Sequence, residues 1–177
     1  MKILGEHGDA AAAAANAEVE MQIRGLMIDP LTNMPIVVLK DVASDTVLPI
    51  WVGIFEASAI QLELEKTTTP RPMTHDLLRN LARGLNAVVR KVVVSELRDD
   101  TFYAVIWMEQ EGEMVALDSR PSDAIALALR WDCPIYASRA VLENARQVAE
   151  GPQNANAEDM RRWLENLNDD EMGRYKM

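Results

Sequence analysis

The chain has 177 residues, and 49% of them are hydrophobic, which is enough for one domain with a substantial core. No segment approaches the ~18 consecutive apolar residues of a membrane-spanning helix, so the sequence predicts no membrane span. The net charge of −10 argues against a general nucleic-acid coat protein, because such proteins are usually basic.

The charge is unevenly distributed along the chain. Residues 66–98 contain seven arginines and lysines and only two acidic residues, a net charge of +5 within an acidic protein. This basic segment is either an ordinary solvated surface or a surface that faces an anion.

The two ends of the chain differ in composition from the middle. Residues 1–18 are rich in alanine and low in complexity, and we expect a disordered tail. They lack the bulky apolar run of a secretion signal, and Cys133 is the single cysteine, so we expect a cytoplasmic protein. The folded domain is predicted over residues 19–149, and residues 150–177 are predicted to be a helical tail with an amphipathic helix over 158–167.

Apolar periodicity and turn clusters define the elements of the first half of the domain. Gly25 is expected to mark a bulge in the first strand. The second helix carries Leu77, Leu78, Leu81 and Leu85 at helical spacing, and we expect this side to be buried. The predicted elements are strands at 19–28, 36–40 and 47–52 and helices at 53–66 and 74–86.

The second half repeats this order of elements and then adds two more. Asp99-Asp100 and residues 110–112 are expected to be tight connections between strands. The predicted elements are strands at 87–97, 101–109, 113–118 and 134–137 and helices at 121–131 and 139–149.

The two halves resemble each other in sequence. A shift of 65 residues aligns residues 59–64 with 124–129 and places the first three strands over the next three. Each half is then strand, strand, strand, helix, which favours an internal duplication whose two alanine-bearing helices pack closely. The elements predict an α+β fold with mostly antiparallel sheet from two similar β-β-β-α halves and additional helices packed on it.

Thr74, His75 and Asp76 stand at the start of a predicted helix. Thr74 suits an N-cap and Asp76 suits the first turn, so both have a structural explanation. His75 is the only histidine between residues 19 and 149, and a histidine there can be a general acid or base or a metal ligand.

A second polar cluster connects a predicted strand to a predicted helix. Asp118 and Asp123 can hold Mg²⁺ or Mn²⁺, because these ions prefer carboxylate oxygen. Ser119, Arg120 and Ser122 can bind a phosphate at the start of the helix. The structural alternative is a helix cap, supplied by Ser119 or Asp118, with a surface ion pair.

Two further sets complete the candidates. Glu56 lies early in the first predicted helix, opposite Pro121 in the 65-residue shift, and is either an exposed glutamate or a third metal-binding carboxylate. Arg71, Arg79 and Arg83 form either a solvated face or a phosphate-binding face, since Arg79 and Arg83 are four residues apart. The sequence contains no glycine-rich phosphate loop, no dinucleotide fingerprint and no cysteine–histidine set for zinc.

Three ordered motifs resemble the bifunctional nuclease domain family. They are Leu48-Pro49-Ile50-Trp51-Val52-Gly53 followed by Glu56-Ala57, then Arg71-Pro72-Met73-Thr74-His75-Asp76-Leu77, and then residues 118–128, DSRPSDAIALA. The resemblance covers roughly residues 19–147. It implies an α+β fold and a nuclease that acts on DNA and RNA.

The resemblance and the polar residues together give a mechanistic hypothesis. Glu56, Asp118 and Asp123 would hold Mg²⁺ or Mn²⁺ and so activate water for phosphodiester hydrolysis. His75 would move a proton, and Arg71 or Arg120 would stabilise the developing charge.

The hypothesis assigns catalysis to four residues: His75, Asp76, Arg120 and Asp123. It requires that the starts of three helices converge on a common cleft. The rival is a non-catalytic binding or assembly module in which the same residues cap helices and pair charges. We expect a homodimer, because two-fold dimers are the commonest homo-oligomers.

Overall fold

The computed structural model describes residues 17–30 and 32–150. The predicted tail at 1–18 therefore lies outside the described residues except for its last two, and Glu18 already belongs to the first strand. The predicted helix at 158–167 and the rest of the tail after residue 150 also lie outside them.

In the part of the chain that the structure describes, seven strands form one sheet. They are β1 (Glu18–Ile28), β2 (Pro35–Asp41), β3 (Val47–Trp51), β4 (Ala87–Arg98), β5 (Thr101–Gln110), β6 (Glu113–Ser119) and β7 (Ile135–Ser138).

The strands follow the order β3-β2-β1-β7-β4-β5-β6. All neighbouring strands are antiparallel except β4 and β7, which are parallel. Two three-stranded meanders therefore flank β7 in mirrored order, which is the arrangement that a duplicated β-β-β-α unit predicts.

Among the described residues, four helices accompany the sheet. They are α1 (Ile54–Leu64), α2 (Thr74–Gly84), α3 (Pro121–Trp131) and α4 (Arg139–Glu150). α1 and α3 pack against each other, and α3 also packs on β4 and β5. Both helices contain small buried residues, among them Ala57 in α1 and Ala124 in α3. These residues allow the close approach of the two helices that the sequence predicts. None of the described helices combines the length and the apolar character required to cross a bilayer.

The predicted α+β class is confirmed, and each predicted element within the described residues ends within two residues of an observed one. The register of β1 against β2 shifts between Ile23 and Gly25, so the predicted bulge is present. The turn at Asp99 and Asp100 places both residues at positive φ, as does the turn at Glu111 and Gly112. Such turns match the twist of a two-stranded hairpin.

The predicted burial of α2 is wrong. Leu77 is 61% exposed, Leu78 43%, Leu81 58% and Leu85 57%. The helix packs on α3 and on β4, but its leucine side does not face the hydrophobic core. Leu78, Leu81 and Leu85 instead form part of the wall of an open cavity.

The predicted 65-residue shift also needs correction at the helices. α1 begins at Ile54 and α3 at Pro121, so the helices correspond at a shift of 67 residues. Glu56 therefore corresponds to Asp123 and not to Pro121, and each is the third residue of an 11-residue helix.

Candidate active site

The first turns of three helices converge in the wall of the cavity. Glu56 of α1, His75 of α2 and Asp123 of α3 all line it, as do Asp118 and Ser119 at the end of β6. Each helix begins after a residue in extended conformation, at Gly53, Met73 and Arg120. The sequence suggested Thr74 as one N-cap and Ser119 or Asp118 as another, and none of the three holds that position. The predicted convergence itself is present.

Hydrogen bonds join these three helix starts. His75 Nε2 lies 2.9 Å from Asp123 Oδ1. Arg120 Nε donates to Asp123 Oδ2 at 2.7 Å, and Arg120 Nη1 donates to Glu56 Oε1 at 3.0 Å. One guanidinium thus connects two carboxylates, and one of these carboxylates contacts the only histidine of the described residues.

The surroundings of Asp123 and Arg120 favour the ionised forms of both side chains. Burial raises the pKa of Asp123, but the hydrogen bonds from Arg120 and His75 outweigh it, so the pKa lies below the usual 3.8. The hydrogen bond to Asp123 raises the pKa of Arg120 above its usual value. At neutral pH a charged carboxylate therefore lies next to the His75 ring, which is only 9% exposed.

The cavity beside these residues has a volume of about 1020 Å³. Its floor includes Val89, Ile106 and Met108 from β4 and β5, and its walls come from α1, α2 and β6. Asp118 is exposed in the wall, and Ser119 Oγ donates to the carbonyl oxygen of Arg120. Ser122 is buried and does not line the cavity.

Asp76 does not line this cavity. Its carboxylate accepts hydrogen bonds from the Met73 backbone N–H at 2.9 Å and from Arg130 Nε at 2.7 Å. Burial raises the pKa of Asp76, but these two bonds and the charge of Arg130 lower it below its usual 3.8. The structure therefore gives Asp76 a role in holding the start of α2.

The predicted basic face divides into two environments. Arg71 and Arg79 line a smaller cleft of about 300 Å³, which shares Leu62 and Met73 with the main cavity. Arg79 Nε is buried there and has no hydrogen-bond partner among the described residues. Arg83 instead lies over Trp131, with its guanidinium carbon 5.0 Å from the ring centre.

The predicted metal ligands do not assemble into one ligand set. Within residues 17–30 and 32–150, no three side chains of His, Cys, Asp or Glu are grouped so that they could hold an ion together. Glu56 and Asp123 share a cationic partner, but that partner is Arg120. The carboxylates have the chemistry that Mg²⁺ or Mn²⁺ prefers, whereas their present arrangement suits a guanidinium.

Two residues that support the site were not found from the sequence. A Cβ at Gly53 would collide with the Glu56 carboxylate, so this glycine leaves room for the side chain. Arg130 is buried and bonds to Asp76 and to backbone carbonyls of Ala126 and Ala59. Its one sequence signal is a charge inside the apolar helix AIALALRW.

Comparison with known proteins places the chain in a family. The chain is 38% identical to the uncharacterized protein Rv1829 of Mycobacterium tuberculosis over 71% of this chain and 75% of that protein. It is 29% identical to Bifunctional nuclease 1 of Oryza sativa subsp. indica and 27% identical to Bifunctional nuclease 1 of Arabidopsis thaliana.

These plant matches cover 66% and 59% of this chain and only about a third of the plant proteins, 36% and 34%. The family model described as bifunctional nuclease domain matches residues 37–150, which include all three helix starts of the site. The chain belongs to the bifunctional nuclease domain family.

Proposed function

We propose that the protein hydrolyses phosphodiester bonds of DNA, RNA or both. The observation that supports this most directly is the bonded set of Glu56, Arg120, Asp123 and His75 at the meeting point of three helix starts. Helix N-termini attract phosphate through their backbone N–H groups and their dipoles. The names of the plant relatives point to the same chemistry.

Arg120 is the residue that we propose for binding the phosphate. Its side chain is 66% exposed, so the guanidinium can turn towards a substrate in the cavity. A guanidinium can hold two phosphate oxygens at once, and it would stabilise the charge that develops on them during attack.

His75 is the residue that we propose for proton transfer. Asp123 would orient the ring, as a carboxylate does for a catalytic histidine. The ring takes a proton from water as the oxygen attacks phosphorus. The P–O bond to the leaving group then breaks, the leaving oxygen takes a proton from solvent water, and the ring returns its own proton to solvent.

We also propose that Mg²⁺ or Mn²⁺ assists the reaction. Glu56 and Asp123 would hold the ion once the exposed Arg120 side chain turns away from them. When bound, the ion would polarise a phosphate oxygen. Titration calorimetry with Mn²⁺ tests this independently of activity: Glu56→Gln should abolish the binding, and unchanged binding would disprove the assignment.

The catalytic assignment is tested by cleavage of single-stranded and duplex DNA and of RNA. We expect His75→Ala and Asp123→Asn each to lower the rate by about 100-fold or more. Asp45→Asn is the matched control, because Asp45 is an exposed carboxylate that bonds Lys40 outside the cavity. Full activity in both site variants would contradict the proposal, whereas binding by the wild type without cleavage would favour a binding module.

We propose in addition that the protein is a cytoplasmic homodimer. Edge strand β6 exposes Met114 and Val115, and an exposed edge can pair with a second copy. Sedimentation equilibrium should give twice the chain mass, and Val115→Lys should give the chain mass. A monomeric wild-type protein would rule out the dimer.

The cytoplasmic assignment rests on the chemistry of the single cysteine. Burial raises the pKa of the Cys133 thiol to about 11, so the thiolate that oxidation requires is scarce at neutral pH. A protein with one such thiol is compatible with a reducing compartment. Fractionation of the source cells tests this directly, and recovery outside the cytoplasmic fraction would contradict it.

A further inference from the structure

The cavity that contains the polar site is largely apolar. Among the described residues of its wall, six large side chains are at least 40% exposed, and they are Phe55, Met73, Leu78, Leu81, Leu85 and Leu117. Phe55 is the most exposed of them at 88%. The candidate catalytic residues therefore line the same groove as these apolar side chains.

Positive charge is scarce in this groove. Arg120 is the only arginine or lysine among its described lining residues, and Glu56, Asp118 and Asp123 are acidic. A nucleic-acid duplex keeps its bases inside and presents about one negative charge per 1.7 Å of its axis. Such a surface would bring phosphates against leucines and carboxylates, so the groove is a poor match for a duplex.

We propose that the groove binds single-stranded nucleic acid, with unpaired bases on its apolar wall next to the phosphodiester that is cleaved. This inference rests on the proposed function, and it specifies the substrate of the same site. Unpaired bases expose apolar faces, and stacking on an aromatic ring tolerates any base sequence. A volume of about 1020 Å³ exceeds that of most small-ligand pockets, so there is room for more than one base.

The neighbouring cleft, lined by Arg71, Arg79 and Arg130 against Glu63 and Asp76, provides a path for the backbone of such a strand. Leu62 and Met73 belong to both cavities, so the cleft with Arg71 and Arg79 adjoins the groove. A single strand can place its bases on one side and its phosphates on the other, whereas a duplex cannot separate them. The groove offers the apolar wall for the bases, and the adjoining cleft offers Arg71 and Arg79 for the phosphates.

Fluorescence anisotropy with a labelled strand of about 12 nucleotides tests the inference. This length is chosen because the binding site of one single-strand-binding OB fold covers ~4–16 nucleotides. Binding is measured with chelator present, and a gel confirms that the strand stays intact, so the result does not depend on cleavage. We expect the single strand to bind at least about tenfold more tightly than the matching duplex. Equal or tighter binding of the duplex would overturn the inference.

Two pairs of variants locate the bases. We expect Phe55→Ala to weaken single-strand binding about fivefold or more and Leu81→Ala about threefold. The controls are Ile54→Ala and Leu77→Ala, because both side chains are about 60% exposed on the same helices but do not line the groove. Equal effects in variants and controls would overturn the inference.

These measurements also distinguish the single-strand proposal from the catalytic proposal and from a dimer contact at the apolar wall. Selective binding of single strands, with no cleavage after Mg²⁺ or Mn²⁺ is added, would support the substrate and contradict the catalytic proposal. A change of oligomeric mass in Phe55→Ala or Leu81→Ala, without a change in binding per chain, would assign the apolar wall to a second copy and overturn the inference.

Discussion

Glu56 depends on a residue that has no side chain. The Glu56 carboxylate folds back over Gly53, at the start of α1, and there it reaches Arg120. The backbone of Gly53 has φ −71° and ψ 160°, which any residue can adopt. The requirement for glycine is therefore one of space and not of conformation.

Gly53→Ala is expected to displace the Glu56 carboxylate and break its bond to Arg120. Because the backbone tolerates alanine, the free energy of unfolding from thermal denaturation should change by less than ~1 kcal/mol. The cleavage rate should fall by about tenfold. Gly84→Ala is the matched control, since a Cβ there has no atom within 4 Å. Wild-type cleavage by the Gly53 variant would show that the position of Glu56 does not matter.

Asp76 makes the stability of the protein sensitive to acid. Its pKa in the folded state lies below the usual 3.8, so its ionised form stabilises the fold above about pH 3.8. This contribution is lost as the pH falls through the lower pKa of the folded state. Asp76→Asn should therefore reduce the free energy of unfolding more at pH 7 than at pH 3, as measured by urea unfolding. An equal reduction at both pH values would contradict the linkage.

At the level of elements, the sequence predicts where a helix or strand begins and ends better than it predicts what each of its faces contacts. Strand alternation and helix periodicity are local, so the limits of the described elements are predicted within two residues. The leucines of α2 have helical spacing, but spacing does not reveal whether a helix face meets the core or an open cavity. The side of α2 that faces the cavity was therefore mispredicted.

The site shows the same division between local and long-range information. Helix-start chemistry singled out Glu56, His75 and Asp123, and the structure brings them together. The bond from Arg120 to Glu56 connects residues 64 positions apart, and the bond from Arg130 to Asp76 connects residues 54 apart. No periodicity encodes such pairs, so Arg130 was not predicted.

Arg130 holds three helices together. Its guanidinium bonds to Asp76 of α2, to the carbonyl of Ala59 in α1 and to the carbonyl of Ala126 in α3. Arg130→Met leaves a carboxylate and two carbonyls without this partner, and we expect the free energy of unfolding to fall by ~3 kcal/mol. Arg90→Met should cost under ~1 kcal/mol, because the Arg90–Glu109 pair is exposed. Equal losses in urea unfolding would contradict the role of Arg130.

For the whole molecule, the duplicated architecture brings equivalent residues to one place. The two meanders flank β7 in mirrored order, and the helix that follows each meander packs against the other. Glu56 and Asp123 hold equivalent positions on these helices and share Arg120. The site is thus built where the two halves meet, and α2 adds His75 to it.

The overall charge predicts how binding responds to salt. With a net charge of −10, the protein cannot rely on general attraction, so binding depends on the few cations near the site, which we propose are Arg71, Arg79 and Arg120. Each phosphate contact on a single strand contributes about −0.7 to the slope of log K against log salt, which gives about −2 for three contacts.

Anisotropy titrations at several NaCl concentrations measure this slope. Arg71→Ala and Arg79→Ala should each make it shallower by about 0.7. Arg98→Ala should leave it unchanged, because Arg98 lies over the Tyr103 ring and lines neither cavity. A wild-type slope of about −5 or steeper would mean that a strand follows a longer basic path over the surface than the two cavities provide.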